Sequence, residues 1–163
     1  MDALDAIRKR RSIRNFTGEP IPRRDLETII DAGRLAASGS NKQPWDFIVI
    51  TKRSMINQLS ERIAKNWMTQ AGAVVAVVMD SESRWWIEDG AAAIENMLIA
   101  STALGYGSCW LEGNTLPWEQ ELKILLEVPE ARKLLTLLPI GVPVEWPIKE
   151  KKPLSEVLHW EKF

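Results

Sequence analysis

Residues 38–50 read SGSNKQPWDFIVI and join two different kinds of sequence. The first half is small and rich in hydroxyl and amide groups, whereas the second half is the apolar, β-branched run typical of a buried strand. A plain connection between a helix and a strand needs little more than one glycine and a capping residue. The surplus of small and amide residues therefore indicates a loop against which a polar, planar or anionic group lies.

Helical and strand patterns alternate irregularly on both sides of this loop. The sequence predicts helices that begin at Asp2, Pro22, Ser54 and Pro117, a longest helix over 85–104 that Gly105 ends, and strands over 46–51, 73–79, 107–113 and 134–141. Pro139 favours an edge position or an irregular end for the last strand, because proline cannot donate to a neighbouring strand. The order departs from clean βαβ repeats, so we expect a three-layer α+β fold in one domain over 1–163.

The bulk composition excludes several classes of protein. A net charge of −1 argues against general attraction to nucleic acid. The single cysteine, Cys109, allows neither a disulfide within the chain nor a thiol metal cluster, and its apolar neighbours predict a buried, unreactive thiol. The sequence has no apolar signal segment before its first charges and no run long enough for a membrane span. We therefore expect a cytoplasmic protein without a membrane partner.

Side chains able to do difficult chemistry are scarce. The sequence contains no P-loop and no dinucleotide-binding glycine motif. The only histidine, His159, has no metal-binding or nucleophilic partner at the usual spacing, so no metal site is expected. Glu88 and Asp89 are adjacent on a helix and therefore point apart, which disfavours a paired acid and base. These features favour a cofactor that brings its own reactivity.

Positive charge is concentrated near both ends of the sequence. Residues 8–14, RKRRSIR, hold four arginines and one lysine, and Lys149, Lys151 and Lys152 form a second cluster. Arginine forks match phosphate oxygens, and Ser12 adds a hydroxyl donor. Folding could bring both clusters to one phosphorylated ligand. The alternative is that the basic run is solvated or complements the end of a helix.

Four segments together resemble the FMN-dependent nitroreductase family, and the length of the chain resembles that of its short members. They are RRSIRNF (10–16), SGSNKQPWDFIV (38–49), SCWLEG (108–113) and KEKKPLSEV (149–157). The resemblance implies a three-layer α-β-α fold with a mostly antiparallel mixed sheet. It also implies an obligate homodimer with FMN in a cleft between the subunits, and a C-terminal tail, about 143–163, that wraps the partner. Ala37 and Lys151 depart from the commonest residues of the family.

The same resemblance implies roles for individual residues. The phosphate and ribityl chain of FMN are assigned to Arg10, Arg11, Ser12, Arg14, Lys149, Lys151 and Lys152, with Arg14 also beside the N1/O2 edge of the ring. The loop residues Ser38, Gly39, Asn41 and Gln43 are assigned to the ring of the other subunit, where the amides either bond the ring edge or lock the loop. The backbones of Glu112 and Gly113 are assigned to N5 and O4. Because the chain is short between Asp80 and Gly90, we expect Trp85 or Trp86 to cover the flavin face and meet the substrate.

The implied activity is that of an NAD(P)H-dependent flavoprotein oxidoreductase. Hydride passes from NAD(P)H through flavin N5 to an electron-poor acceptor, a nitroaromatic or a quinone, in a ping-pong reaction without a catalytic side chain. The scaffold also supports dehalogenation and flavin cleavage, so the reaction type is less fixed than the cofactor. The alternatives are a flavin-binding carrier or sensor without turnover and, less favoured, a nucleic-acid-binding module that uses the arginine-rich start.

Overall fold

A four-stranded sheet with helices on both faces forms the centre of the chain in the computed structural model, which describes residues 1–111 and 116–163. The strands are β1 (Trp45–Ile50), β2 (Ala73–Asp80), β3 (Gly107–Ser108) and β4 (Arg132–Gly141), in the spatial order β1-β2-β4-β3. All three strand pairs are antiparallel, and a single bridge between Ser12 and Ser108 is parallel. The predicted fold class, a three-layer α+β fold with a mostly antiparallel sheet, is confirmed.

The described helices are α1 (Ala3–Lys9), α2 (Arg23–Arg34), α3 (Arg53–Arg62), α4 (Trp86–Ala103) and α5 (Glu119–Leu125), with short 3₁₀ turns at Gly39–Asn41, Asn66–Gln70, Leu116–Trp118 and Leu154–Glu156. The Asp2 carboxylate accepts from the backbone N–H of Asp5 at 2.9 Å, which is the predicted N-cap. Gly105 follows α4 with a φ of 92°, as its capping role requires. Within the described residues, no helix is both long and apolar enough to cross a membrane.

Strand β2 is buried on both faces, which explains its uninterrupted apolar sequence. Because side chains alternate across a strand, one set of β2 residues packs with α3 and the other with α2 and α4. The first set includes Val74 and Ala76, and the second includes Val75 and Val77. The two hydrophobic clusters on opposite faces of the sheet hold the outer helices against its centre.

Two strand predictions were wrong in detail. The run 46–51 was expected to be a buried strand, but β1 lies at the edge of the sheet and leaves Asp46 and Val49 exposed. The predicted third strand over 107–113 is paired as a strand only at Gly107–Ser108. Antiparallel hydrogen bonds to β4 nevertheless continue beyond it, from Cys109 N to the Pro139 carbonyl at 3.1 Å.

The position of Pro139 was also predicted wrongly, because β4 is an interior strand between β2 and β3. The backbone N and C=O of one strand residue point to the same neighbour. Since the Pro139 carbonyl accepts from Cys109, its nitrogen also faces the short β3 side and not the long ladder with β2. The missing donor therefore costs no hydrogen bond between β2 and β4, and proline is tolerated away from a sheet edge.

Candidate functional site

Basic side chains from both ends of the sequence meet in one cavity of about 460 Å³, which we call the cationic cavity. The cavity is lined by Arg10, Arg11, Ser12, Arg14, Pro147, Lys149, Glu150 and Lys151. One wall is the segment that follows α1, and the other is the start of the tail (residues 143–163). The structure therefore brings together the two basic clusters that lie far apart in the sequence.

The first wall of the cationic cavity is an extended segment pinned to the end of the sheet. The N–H of Ile13 donates to the Ser108 carbonyl at 2.9 Å. Ile13 and Phe16 are buried, whereas Ser12 and Arg14 are exposed. Side chains alternate along extended backbone, so burying Ile13 turns its two polar neighbours toward the cavity. The apolar residues of RRSIRNF thus set the direction of its polar ones.

Arg11 joins this wall to the tail. Its Nη1 atom donates to the carbonyls of Arg8 at 2.8 Å and Arg10 at 2.7 Å, and its Nη2 atom donates to the Lys149 carbonyl at 3.1 Å. Further contacts hold the tail nearby, since Val144 N donates to the Asn15 carbonyl. Arg11 is therefore a clasp between the two ends of the sequence as well as a cation in the cavity.

The charges in the cationic cavity are only partly neutralised. Arg10 lies 3.4 Å from the Glu95 carboxylate, whereas Arg14 makes no ion pair within the described residues. The Nε atom of Arg11 is buried and has no hydrogen-bond partner in the described part of the chain. Clustered cations and an unpartnered guanidinium donor suit a phosphate group, which accepts several charge-assisted hydrogen bonds. The residues present therefore fit the phosphate end of FMN.

Cys109 lies behind this wall, where it is fully buried. Burial raises the pKa of its thiol, although Arg14, a hydrogen bond from Ser12 and Arg10 oppose that shift. A thiol with a raised pKa stays protonated and reacts slowly. The side chain is therefore the buried, unreactive thiol that the sequence indicated.

A second polar group forms at residues 38–43, which we call the amide loop. The Ser38 hydroxyl accepts from the N–H of Gln43 at 3.0 Å, and the Gln43 side-chain amide donates to the Asn41 carbonyl at 3.3 Å. Ser40, Asn41 and Gln43 have φ angles of 51°, 57° and 50°, in the left-handed region that side chains rarely adopt. The loop is therefore folded tightly by local hydrogen bonds and an unusual backbone.

Gly39 connects the amide loop to the start of α4. Its N–H donates to the Asp89 carboxylate at 2.9 Å, and Asp89 is only 5% exposed. A Cβ atom at position 39 would lie 2.4 Å from Cδ1 of Trp85, so only glycine permits this approach. Trp85 remains 45% exposed, and the Arg84 guanidinium lies 4.6 Å from the centre of its ring.

The residues assigned from the sequence thus fall into two groups. The cationic cavity includes Arg10, Arg11, Ser12, Arg14, Lys149 and Lys151, and the amide loop holds Ser38, Gly39, Asn41 and Gln43 with Trp85 packed on it. Trp86 is half-buried and packs against the cluster under α2 and α4. Lys152 is exposed and does not line the cavity, while Glu112 and Gly113 lie outside the described residues.

Three residues at the cationic cavity and the amide loop were not predicted from the sequence. Pro147 and Glu150 line the cationic cavity, and their only sequence signal is that they flank its lysines. Asp89 was considered and set aside as an acid or base, but it is buried and holds Gly39. The contact joins residues 50 positions apart, so no local pattern could have disclosed it.

Comparisons with known proteins identify the family of this chain. The Nitroreductase family matches residues 7–73 and 57–142. A relative from Archaeoglobus fulgidus, provisionally named NADH dehydrogenase/NAD(P)H nitroreductase, is 36% identical over 151 residues, which cover 87% of this chain and 86% of the relative. The chain therefore belongs to the nitroreductase family, as the four motifs indicated.

Two solved structures are similar over nearly the whole chain. A nitroreductase with bound FMN from Bacteroides fragilis is 28% identical with a TM-score of 0.84 and covers 99% of this chain and 100% of its own. A provisionally named nitroreductase in complex with FMN from Desulfovibrio desulfuricans is 29% identical with a TM-score of 0.88, covering 100% of this chain and 98% of its own. The predicted fold is confirmed, and the predicted cofactor is the one that both relatives hold.

Proposed function

We propose that this chain is an FMN-dependent oxidoreductase that uses NAD(P)H to reduce an electron-poor acceptor, a nitroaromatic or a quinone. When bound, FMN would supply the chemistry, which is hydride transfer through N5 from one substrate to the next in a ping-pong cycle. The observation that carries the proposal is the cationic cavity, to which both ends of the sequence contribute basic side chains suited to a phosphate.

The phosphate end is held by charge. In this proposal Arg10, Lys149 and Lys151 supply the cations and Ser12 supplies a hydroxyl donor. Each hydrogen bond to a charged group contributes about 1.5–3 kcal/mol, so a few of them suffice for tight binding. Arg11 contributes its remaining Nε donor, because its Nη atoms are already bonded to carbonyls.

The ring end needs a positive charge and a fitted surface. In this proposal Arg14 would serve the N1/O2 edge of the ring, where a fixed cation lowers the energy of the negative charge that reduction creates. The amide loop offers the small Gly39 and the amides of Asn41 and Gln43 as a surface for the ring. The exposed face of Trp85 next to Gly39 supports a role for this residue in covering the ring and selecting flat acceptors.

The proposed homodimer accounts for the apolar residues left exposed on one protomer. Ile148 is 97% exposed, and Trp160 and Phe163 in the same tail are also largely exposed. Large exposed apolar side chains in one segment are typical of an interaction surface. In this proposal the tail wraps the partner, and the amide loop of one subunit meets the FMN held by the cationic cavity of the other.

The decisive experiment for the activity uses the purified full chain. We expect a yellow protein that releases one FMN per chain on heating, whose colour is bleached by NADH or NADPH without oxygen and returns when a nitroaromatic or quinone is added. A protein that keeps its FMN but is bleached only slowly would instead be a carrier or sensor. A protein without affinity for FMN would contradict both the enzyme and the carrier or sensor hypotheses.

The dimer is tested separately by light scattering on the eluting protein. We expect a mass twice the 18.5 kDa of one chain. Trp160→Asp should shift the mass toward one chain, because it places a charge in the proposed contact. Ile124→Asp is the matched control, since Ile124 is also exposed but lies on α5, outside the tail and the amide loop. A monomeric wild-type protein would exclude the shared site.

A further inference from the structure

Asp89 is the acidic residue among the buried polar residues of the described chain, and its side chain bonds to a loop outside its own helix. It lies in the first turn of α4, and one of its oxygens accepts from the N–H of Gly39 at 2.9 Å. Its own N–H donates to the Trp85 carbonyl at 2.8 Å, which fixes it within the helix. The first turn of a helix favours acidic residues, because the free N–H groups of that turn carry partial positive charge.

The other oxygen of Asp89 is buried and has no hydrogen-bond partner within residues 1–111 and 116–163. Leaving a buried charged oxygen unpaired costs stability. A fold selected for stability alone would gain from a neutral residue at this position. The residue is therefore better explained by what its bonded oxygen holds, which is the N–H of Gly39.

The bonded oxygen holds a loop that is strained. Three residues other than glycine, at positions 40, 41 and 43, have left-handed backbone, and such conformations persist only where surrounding contacts impose them. Within the loop, only the Ser38 and Gln43 side chains make hydrogen bonds to its backbone. The bond from Gly39 to Asp89 is the described hydrogen bond that ties this loop to a helix.

We propose that Asp89 is a positioning residue: it holds the strained amide loop in the conformation that receives the flavin ring. The inference rests on the proposed function, because the loop meets FMN only if the protein binds it. Asp89 touches neither cofactor nor substrate; it acts through the Gly39 N–H. Trp85 is positioned by the same bond, since its ring lies against Gly39 with no room for a side chain.

The consequence of losing this bond is local. Without the Asp89 acceptor, the strained residues relax toward ordinary backbone and the loop opens more often. The exposed Lys42 then becomes accessible to trypsin, which cleaves after lysine. The rate of cleavage after Lys42 follows the population of the open loop when opening is fast relative to cleavage. This rate can be measured on the protein without FMN.

The test compares Asp89→Ala, Asp89→Asn and, as a matched control, Glu88→Gln in the full chain. Glu88 is the adjacent carboxylate on the same helix, and it is exposed. We expect Asp89→Ala to speed cleavage after Lys42 by about tenfold or more, and saturating FMN to suppress that cleavage, because a ligand that binds only the closed loop lowers the population of the open one. Asp89→Asn keeps a neutral acceptor and should lie between the wild type and Asp89→Ala, whereas Glu88→Gln should match the wild type.

Cleavage after Lys151, in the exposed tail, serves as the internal reference for trypsin activity. If Asp89→Ala does not fold, hydrogen exchange at the Gly39 N–H in Asp89→Asn replaces it, and we expect exchange several times faster than in the wild type. Unchanged cleavage after Lys42 in folded Asp89→Ala, or unchanged exchange in Asp89→Asn, overturns the proposal. Faster cleavage that saturating FMN does not suppress also overturns it, because the loop would then not receive the ring.

These outcomes are distinct from failure of the proposed function. If the wild-type chain binds no FMN, the proposed function fails, while the protease measurement on the same protein still reports whether Asp89 holds the loop. In that case the role in receiving the ring is excluded together with the function. If the wild type binds FMN and the Asp89 variants match it in cleavage after Lys42, the proposed function stands and the inference about Asp89 is excluded.

Discussion

The cationic cavity and the amide loop are built in opposite ways. The cavity joins segments 138 residues apart, as the bond from Arg11 to the Lys149 carbonyl shows, and most of its charged side chains are exposed. The amide loop is formed by six consecutive residues and one buried carboxylate. The first depends on charges that tolerate some movement, because electrostatic attraction falls off slowly with distance. The second depends on backbone angles and on the absence of a side chain at Gly39.

This contrast indicates how each region responds to a substitution. Removing one cation from the cavity should weaken binding of an anion without disturbing the fold, because the side chain is solvated. Adding one methyl group to the amide loop should disturb its shape without changing any charge. The predictions below use this difference, and they run from the largest expected effect to the smallest.

Arg14→Ala should raise the FMN dissociation constant by about tenfold to a hundredfold, since it removes an unpaired cation from the cationic cavity. Arg10→Ala should have a smaller effect, because Glu95 already offsets part of that charge. Titration of flavin fluorescence measures both constants. Arg23→Ala is the control, since Arg23 lies on α2 and pairs with Glu27. Equal constants for Arg14→Ala and the wild type would mean that Arg14 does not contact FMN.

Gly39→Ala should lower the free energy of unfolding by about 1–3 kcal/mol, because a Cβ atom would lie 2.4 Å from the Trp85 ring. Chemical denaturation measures the change. Gly105→Ala is an informative comparison, because Gly105 has open space around it and a positive φ instead of a close contact. If the Gly39 variant were as stable as the wild type, the amide loop would have more freedom than its packing indicates.

Tyr106→Phe tests a bond outside both regions and should leave FMN binding unchanged. The Tyr106 hydroxyl donates to Asp25 at 2.6 Å, and its loss should cost about 1–2 kcal/mol of stability. Burial, followed by the hydrogen bond and charge of Asp25, raises the pKa of Tyr106 from 10.0 to about 12.

The raised pKa fixes the direction of a pH dependence. The folded state keeps the phenol proton between about pH 10 and 12, where the unfolded state releases it, so stability falls as the pH rises through this range. Below pH 10 this contribution is fully present. We expect the fall in the wild type and its absence in Tyr106→Phe, measured by denaturation at several pH values. Parallel curves for the two proteins would exclude the assigned bond.

Lys151→Ala and Lys152→Ala should differ although the residues are adjacent. Lys151 lines the cationic cavity and Lys152 does not. We expect a severalfold weaker affinity for FMN in the first variant and a change below about twofold in the second, because an exposed charge outside the cavity is screened by solvent. Equal losses in both variants would show that the tail shifts when the ligand binds.

The sequence predicts more of the cationic cavity than of the amide loop. Arginines at 10, 11 and 14 and lysines at 149 and 151 are visible as clusters, and the buried Ile13 between polar neighbours indicates which way they point. The tie between Asp89 and Gly39 has no such signal, because it depends on how α4 lies against the loop. Pro139 was misplaced for a related reason: strand order is a property of the whole sheet, and a local proline rule cannot report it.

The clasp made by Arg11 has a consequence for how the protein matures in a cell. Lys149 and Lys151 leave the ribosome after every described strand and after helices α1 to α5. The sheet holds neither lysine, so it can form while the cationic cavity still lacks one wall. In the proposed function, tight binding of a phosphorylated ligand waits until Arg11 has fastened the tail, which makes cofactor loading a late step of folding.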